Sequence, residues 1–336
     1  MVSPLVIQFS FAYRPIFEVV CPALCIVGIV TNCFNILVLS KQKMKSPTNV
    51  LLQWLAAADG LGMISHLIYN IHYPYLDKYK TGAFSTKQIM NVSMVVAVLF
   101  HSIAIWLAVA LAMFRSLVVS FPLHAGRLCT FSRVYITAGI ISILMVVAAV
   151  PNMCINTIQG YNLTAADNTT ITRYYFGARS RNLDNFNRIL HSVACRLLPC
   201  LLLLILNAVL IQGMIHAKRR HLELTSASSS TSQQSGRSAS TDGNSSSTVI
   251  LVAIVTLSIL TETPHGVILF WIPFDQDVKL VYNCMGDLID TLTILNSGVN
   301  FFLYCTMSKK FRKSLINMMR KAVKPGLWFT RKSNSR

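Results

Sequence analysis

The stretch TVILVAIVTLSILTETPHGVILFW, residues 248–271, decides the fold. It is long enough to cross a bilayer, which takes about 20 predominantly apolar residues, yet it carries Glu262 two residues before Pro264. An acid at the centre of a spanning helix costs roughly 2.5–3.5 kcal/mol on insertion scales. Such a residue therefore faces a bundle interior and serves a pathway, a ligand or a switch. Glu262 is where a functional reading starts.

Working outward, the 336-residue chain is 53% hydrophobic and 12% charged, with a mean hydropathy of +0.53. That excludes an ordinary soluble domain. Apolar windows of spanning length fall at residues 17–40, 48–69, 89–120, 133–155, 188–215, 248–271 and 281–307. The pattern predicts an all-α, seven-transmembrane-helix bundle in the lipid bilayer, a multi-pass membrane protein. The net charge of +18 comes from 30 basic and 12 acidic residues. Because the basic residues are not clustered with aromatics on a polar domain, no nucleic acid is expected as partner. They report topology instead. Lys41, Lys43, Lys45, Arg127, Arg133, Lys218, Arg219 and Arg220 share one face with Lys309, Lys310, Arg312 and Lys313. The positive-inside rule makes that face cytoplasmic and the N-terminus extracellular.

The expected organisation is an extracellular N-terminus (1–16), a transmembrane domain (17–307), an amphipathic helix (308–320) and a basic cytoplasmic tail (321–336). No signal peptide is expected, and the first helix serves as its own anchor. Residues 218–247 read as a partly disordered cytoplasmic loop, because a Ser/Thr/Gln/Gly-rich segment cannot bury enough apolar surface to offset chain entropy. Phe311, Leu315, Met318 and Met319 fall on one helical face with Lys and Arg around it, which suits a short eighth helix lying at the interface. Asn162 and Asn168 head glycosylation sequons in the fourth connection, on the outer side of this topology. The nine cysteines lack histidine partners at ligand spacing, so no metal site is expected.

Several motifs appear in a fixed order: Asn32; Met44-Lys-Ser-Pro-Thr-Asn49; Leu55-Ala-Ala-Ala-Asp59; Phe114-Arg115-Ser116; Pro199; Pro264; and Asn296-Ser-Gly-Val-Asn300-Phe-Phe-Leu-Tyr304. In that order the chain resembles the rhodopsin-like (class A) G-protein-coupled receptors over most of its length. Within them, Thr261-Glu-Thr-Pro-His-Gly266, Arg196-Leu-Leu-Pro-Cys200 and Asn300-Phe-Phe-Leu-Tyr-Cys305 resemble the invertebrate and nematode myosuppressin and FMRFamide-like peptide receptors. Most rhodopsin-like receptors carry tryptophan where Glu262 stands and proline where Phe301 stands.

Polar groups in apolar helices must meet one another or remain costly against lipid, so Asn32, Asp59, Asn296, Ser297 and Asn300 are expected to form one hydrogen-bonded core. The resemblance implies that this core rearranges on activation together with Tyr304, and that Asp59 binds sodium. Ala104 stands where a hydroxyl ligand would be expected, which argues against the ion, and no cofactor is expected. The resemblance also implies that Arg115 meets the C-terminal helix of a heterotrimeric G protein, here without its usual acidic neighbour. Pro199 and Pro264 each remove a helix hydrogen bond and can serve as hinges. The disulfide that usually ties the third helix to the following outer loop cannot form, since residues 156–187 contain no cysteine.

The resemblance places His101 and Arg196 near Glu262, which leaves two readings of that acid open. It is a structural pair with either partner, or it joins Asp287 and Asp290 in presenting negative charge to a ligand such as an amidated Arg-Phe peptide. Tyr73, Phe100, Phe270 and Trp271 are candidate walls for the ligand ring. The expected function is a peptide receptor acting on a G protein, and not an enzyme, because no second catalytic carboxylate accompanies Glu262. The alternatives are a chemoreceptor of the same fold for small molecules, and a seven-helix transporter or channel. The last would predict broken helices in matching halves, which are not visible.

Overall fold

A computed structural model describes residues 3–78, 84–121, 124–164, 170–228 and 238–323. Its helices are α1 (Pro4–Leu39), α2 (Pro47–Lys78), α3 (Phe84–Ser120), the short α4 (Ala125–Leu128), α5 (Phe131–Ile155), α6 (Arg181–Ser192), α7 (Leu198–Ser228), α8 (Ser238–Trp271), α9 (Gln276–Met307) and α10 (Lys309–Val323). A π-helical segment, Val193–Leu197, joins α6 and α7 into one rod. Seven long rods thus span the bundle: α1, α2, α3, α5, α6 with α7, α8 and α9. Among the described residues, six of them are long and apolar enough to cross a membrane. The seventh is α8, which carries the 248–271 stretch.

The rods close into a ring. α1 packs on α2 and α9, α2 on α3, α3 on α7 and α5, and α8 on α7 and α9. α3 is the hub, and Ile105, Leu107, Leu111 and Ala112 along it are buried at the centre of the main core. The exposed apolar residues, such as Ile140, Ile143, Leu144 and Val147 of α5, lie on the outer face, as lipid contact requires. A second cluster of Phe17, Cys21, Cys25, Met63 and Ile294 joins α1, α2 and α9. It depends on Gly28, where an added Cβ would sit 2.1 Å from Met63 Sδ. No side chain larger than hydrogen fits there without moving Met63.

Three features differ from the sequence expectation. α1 begins at Pro4 instead of near residue 17, because Ser3 caps it and proline at the first helical position already has the φ angle a helix needs. α7 runs on to Ser228 and α8 starts at Ser238, so of the loop expected at 218–247 only residues 229–237 lie outside the described residues. Once a spanning helix is nucleated, each further residue adds a hydrogen bond at little extra entropic cost. The fourth connection is an antiparallel hairpin of β1 (Asn156–Thr164) and β2 (Thr170–Ala178), with Asn156 opposite Ala178 and Thr164 opposite Thr170. The run Thr170-Ile-Thr-Arg-Tyr-Tyr-Phe176 is rich in β-branched and aromatic residues, which suit a pleated strand. The expected basic tail beyond residue 323 lies outside the described residues.

α10 starts at a Ser308 hydroxyl that accepts from Phe311 N at 3.2 Å. Phe311 is 1% exposed, its ring 5.5 Å from Tyr304 and 6.1 Å from Phe301. The apolar face foreseen for this helix is therefore divided: Phe311, Leu315 and Met318 pack on the bundle, while Ile316 and Met319 remain exposed.

Candidate functional site

Glu262 is 1% exposed and sits between α3 and the π segment. Arg196 donates from Nη1 to Glu262 Oε2, and His101 Nε2 lies 3.0 Å from Oε1. Both partners are buried too. Of the two readings left open by the sequence, the paired one matches this arrangement: each carboxylate oxygen has a cationic or imidazole neighbour, and a buried ion is tolerable only in such company.

The local backbone explains how Arg196 gets there. Pro199, buried at the start of α7, has no N–H, so an α-helical ladder cannot continue through it. The chain relaxes into the π pattern, with Leu198 N bonded to Val193 O. The same pattern would direct the Ala194 carbonyl at Pro199, which offers no donor. Trp106 of α3 supplies one instead, its indole Nε1 donating to Ala194 O at 3.1 Å. Arg196 thus emerges from a bulge held in place by α3.

Other buried polar side chains surround the pair. His66, His191 and His265 lie within electrostatic reach of Arg196. His265 Nε2 is 3.4 Å from the Tyr282 hydroxyl of α9, and Ser192 Oγ donates to Gly266 O at 2.7 Å. Reading the sequence for motifs passed over His66, His191 and Tyr282. Their signal is the one that marked Glu262, a polar group within an apolar window.

Asp287 and Asp290 stand one turn apart on α9, half-buried, and neither forms an ion pair within 4.0 Å among the described residues. Phe100 packs against Gly62 of α2, where an added Cβ would meet its own Cβ at 3.6 Å. Phe270 is half-buried, 5.7 Å from Phe274. Trp271 does not line the interior. It is 52% exposed and edge-on to Phe274, as suits an indole at a membrane boundary. The side chain of Tyr73 lies outside the described residues, as does Asn168. Asn162 is exposed on β1, accepting from Thr172 Oγ1 at 2.9 Å.

No disulfide holds this hairpin, since all nine cysteines are free. An aromatic contact stands at the same junction: Phe84, at the start of α3, meets Tyr174 of β2 edge-on with centroids 5.6 Å apart. Arg179 N also bonds back to Ile155 O at 3.0 Å, closing the hairpin base.

Deeper in the bundle, four of the five polar residues expected to form one core, Asn32, Asp59, Ser297 and Asn300, lie together. Asn32 Nδ2 donates to Gly28 O at 3.1 Å and to Ser297 O at 3.3 Å. Asn300 Nδ2 donates to Asp59 Oδ2 at 3.0 Å. Asn296 sits apart, its Oδ1 accepting from Ser258 of α8 at 3.3 Å. A cavity with room for about one water molecule is lined by Asp59, Ser297 and His66 together with His101, the neighbour of Glu262. Beside Asp59, Asn300 presents an N–H to the carboxylate and Ala104 brings no oxygen, while Ser297 and Thr293 line the cavity together with Met63, His66 and His101. Among the described residues no group of three His, Cys, Asp or Glu side chains is arranged to hold a metal.

At the other end, Arg115 is half-buried on α3 within electrostatic reach of Tyr304 and Cys129. The residues that replace its usual acidic and aromatic neighbours are used for packing. Phe114 is buried in the core, its carbonyl accepting from Cys129 Sγ at 3.7 Å, and Ser116 Oγ bonds to Ala112 O at 2.9 Å.

The family model for serpentine-type seven-transmembrane G-protein-coupled chemoreceptors, Srw, matches residues 19–322. The chain is 27% identical to the G-protein coupled receptor dmsr-1 of Caenorhabditis elegans, over 89% of this chain and 67% of that one. It is 24% identical to sex peptide receptor-related protein 2 of the same nematode, covering 91% and 72%. To the sex peptide receptor of Drosophila melanogaster it is 25% identical, covering 89% and 71%.

Proposed function

The chain belongs to the Srw family of serpentine seven-transmembrane G-protein-coupled receptors, and from that membership we propose that its ligand is a peptide with a basic residue beside an amidated aromatic C-terminus. It is a receptor and not an enzyme. Its action is an equilibrium shift: a ligand that binds the active arrangement better raises its population, and a G protein on the opposite face does the same.

The observation that carries the peptide reading is the division of charge in the outer half of the bundle. Glu262 is already matched by Arg196 and His101, whereas Asp287 and Asp290 have no ion-pair partner among the described residues. A ligand guanidinium would pair directly with these two acids, on which Arg14 and Arg196 act only from a distance. The relatives named as sex peptide receptors support a peptide ligand. The N-terminus and the β1–β2 hairpin then face outward, with Asn162 exposed as a glycan acceptor. Arg115 meets the G protein at the cytoplasmic end, and α10 lies on the inner leaflet of the plasma membrane with Ile316 and Met319 in the headgroup layer.

The test presents a panel of amidated Arg-Phe peptides to cells expressing the full chain and reads G-protein activation. A response that disappears when the peptide arginine is replaced by citrulline is the expected result. Activation by small apolar volatiles with no response to any peptide would overturn it and favour a small-molecule chemoreceptor, the description the family model carries.

A further inference from the structure

On either side of Pro264, α8 is joined to the π segment by three contacts within a little more than one helical turn. Arg196 pairs with Glu262. Ser192 Oγ donates to Gly266 O at 2.7 Å. Gly266 lets the helices approach so closely that an added Cβ would lie 2.8 Å from Leu197 Cδ2 and 3.2 Å from Arg196 Cβ. α3 holds both sides, through His101 at 3.0 Å from Glu262 Oε1 and through Trp106 on the carbonyl of Ala194. Each contact lies beside a break in a helix ladder, Pro264 in α8 or the π segment before Pro199. Breaks are where a membrane helix can bend, because there the backbone lacks the bonds that stiffen it.

The geometry points to a clasp of Glu262, Arg196, His101 and Gly266 that holds α8 against α3 and the π segment and so keeps the receptor in its resting arrangement. This inference rests on the receptor reading and names the regulation of that site; it is independent of which ligand binds. A charged pair suits the role. Its strength depends on distance and on exclusion of water, so a small displacement of α8 that admits water weakens it steeply. The clasp then releases as a unit, as a two-state element requires. Its histidine also lines the water-sized cavity that reaches Asp59, so release would be felt at the polar core. Arg196 and Gly266 act here as positioning residues, holding α8 through Glu262 and through close backbone approach.

The test uses the full chain with an energy-transfer donor inserted in residues 229–237 and an acceptor at the C-terminus, read in cells without any peptide. Glu262→Gln and Arg196→Gln each shift the transfer signal away from wild type, corresponding to a rise in the open population on the order of tenfold. The exchange pair Glu262→Arg with Arg196→Glu returns it toward wild type, and surface expression measured alongside separates release of the clasp from loss of folded receptor. Gly266→Ala keeps every charge but forces Leu197 and Arg196 aside, and it shifts the signal in the same direction. Should Glu262→Gln fail to reach the surface, Gly266→Ala decides alone. Wild-type transfer in Gly266→Ala at normal surface expression overturns the clasp, and so does an exchange pair no nearer to wild type than the single variants. A chain that opens on these substitutions yet answers no Arg-Phe peptide overturns the ligand assignment only.

Discussion

Replacing Trp106 with phenylalanine tests how the π segment is held. The substitution keeps an aromatic ring in the α3–π contact but removes the indole N–H that donates to Ala194 O at 3.1 Å. In the π pattern that carbonyl points at Pro199, which has no hydrogen to give, so the loss leaves a partly buried acceptor unsatisfied. Such a group costs about 1–3 kcal/mol, which lowers the folded-to-unfolded ratio by roughly 5–150-fold. The assay follows heat unfolding of detergent-solubilised protein with a thiol-reactive dye. Cys21, Cys25 and Cys195 are at most 2% exposed, and their labelling reports loss of the bundle. The expected result is a clearly lowered midpoint for Trp106→Phe. Adding Pro199→Ala restores an N–H for the carbonyl, so the double variant should lose less than the single one. A Trp106→Phe midpoint equal to wild type, or a double variant with strictly additive losses, would refute the account of the π segment.

Other outcomes follow from the same geometry. Phe84→Ala and Tyr174→Ala should each increase hydrogen exchange in the β1–β2 hairpin, with a double-mutant coupling of about 0.5–1.5 kcal/mol; independent effects would show that their edge contact does not hold the loop. Phe311→Ala removes a ring packed on Tyr304 and Phe301 and should cost about 3–5 kcal/mol locally. Protease cleavage within residues 309–323 would then rise while the bundle stays intact. Asp290→Asn should weaken peptide activation by about ten- to a hundredfold, the value of a hydrogen bond to a charged group, and leave surface expression unchanged. An unaltered dose response would place the ligand charge elsewhere.

The residue types that membrane physics constrains most were readable from the sequence. Glu262, Asp59 and Asn300 stand out because an unpaired polar group against lipid is costly, so each had to find partners inside the bundle. The seven windows follow from bilayer thickness, a property of the solvent and not of the fold. Less was legible where packing sets the outcome. Trp271 matches a pocket wall in its place along the chain, yet its azimuth on α8 turns it outward beside Phe274. The split of the α10 face between bundle and exterior depended on where Phe311 could reach, and the hairpin depended on pairing between strands 156–164 and 170–178.

By itself the sequence determined that this is a seven-helix membrane protein with an acid and a proline at the centre of its sixth span, because apolar length acts locally along the chain, and its ordered motifs carried the resemblance to a receptor family. Only the tertiary structure decided which group neutralises that acid. Arg196 lies 66 residues from Glu262. The two meet because Pro199 forces a π segment whose free carbonyl is held by Trp106, and because Gly266 lets α8 approach closely enough to close the pair. Such long-range matching of a bulge, an indole and a glycine has no signature in any one stretch of sequence.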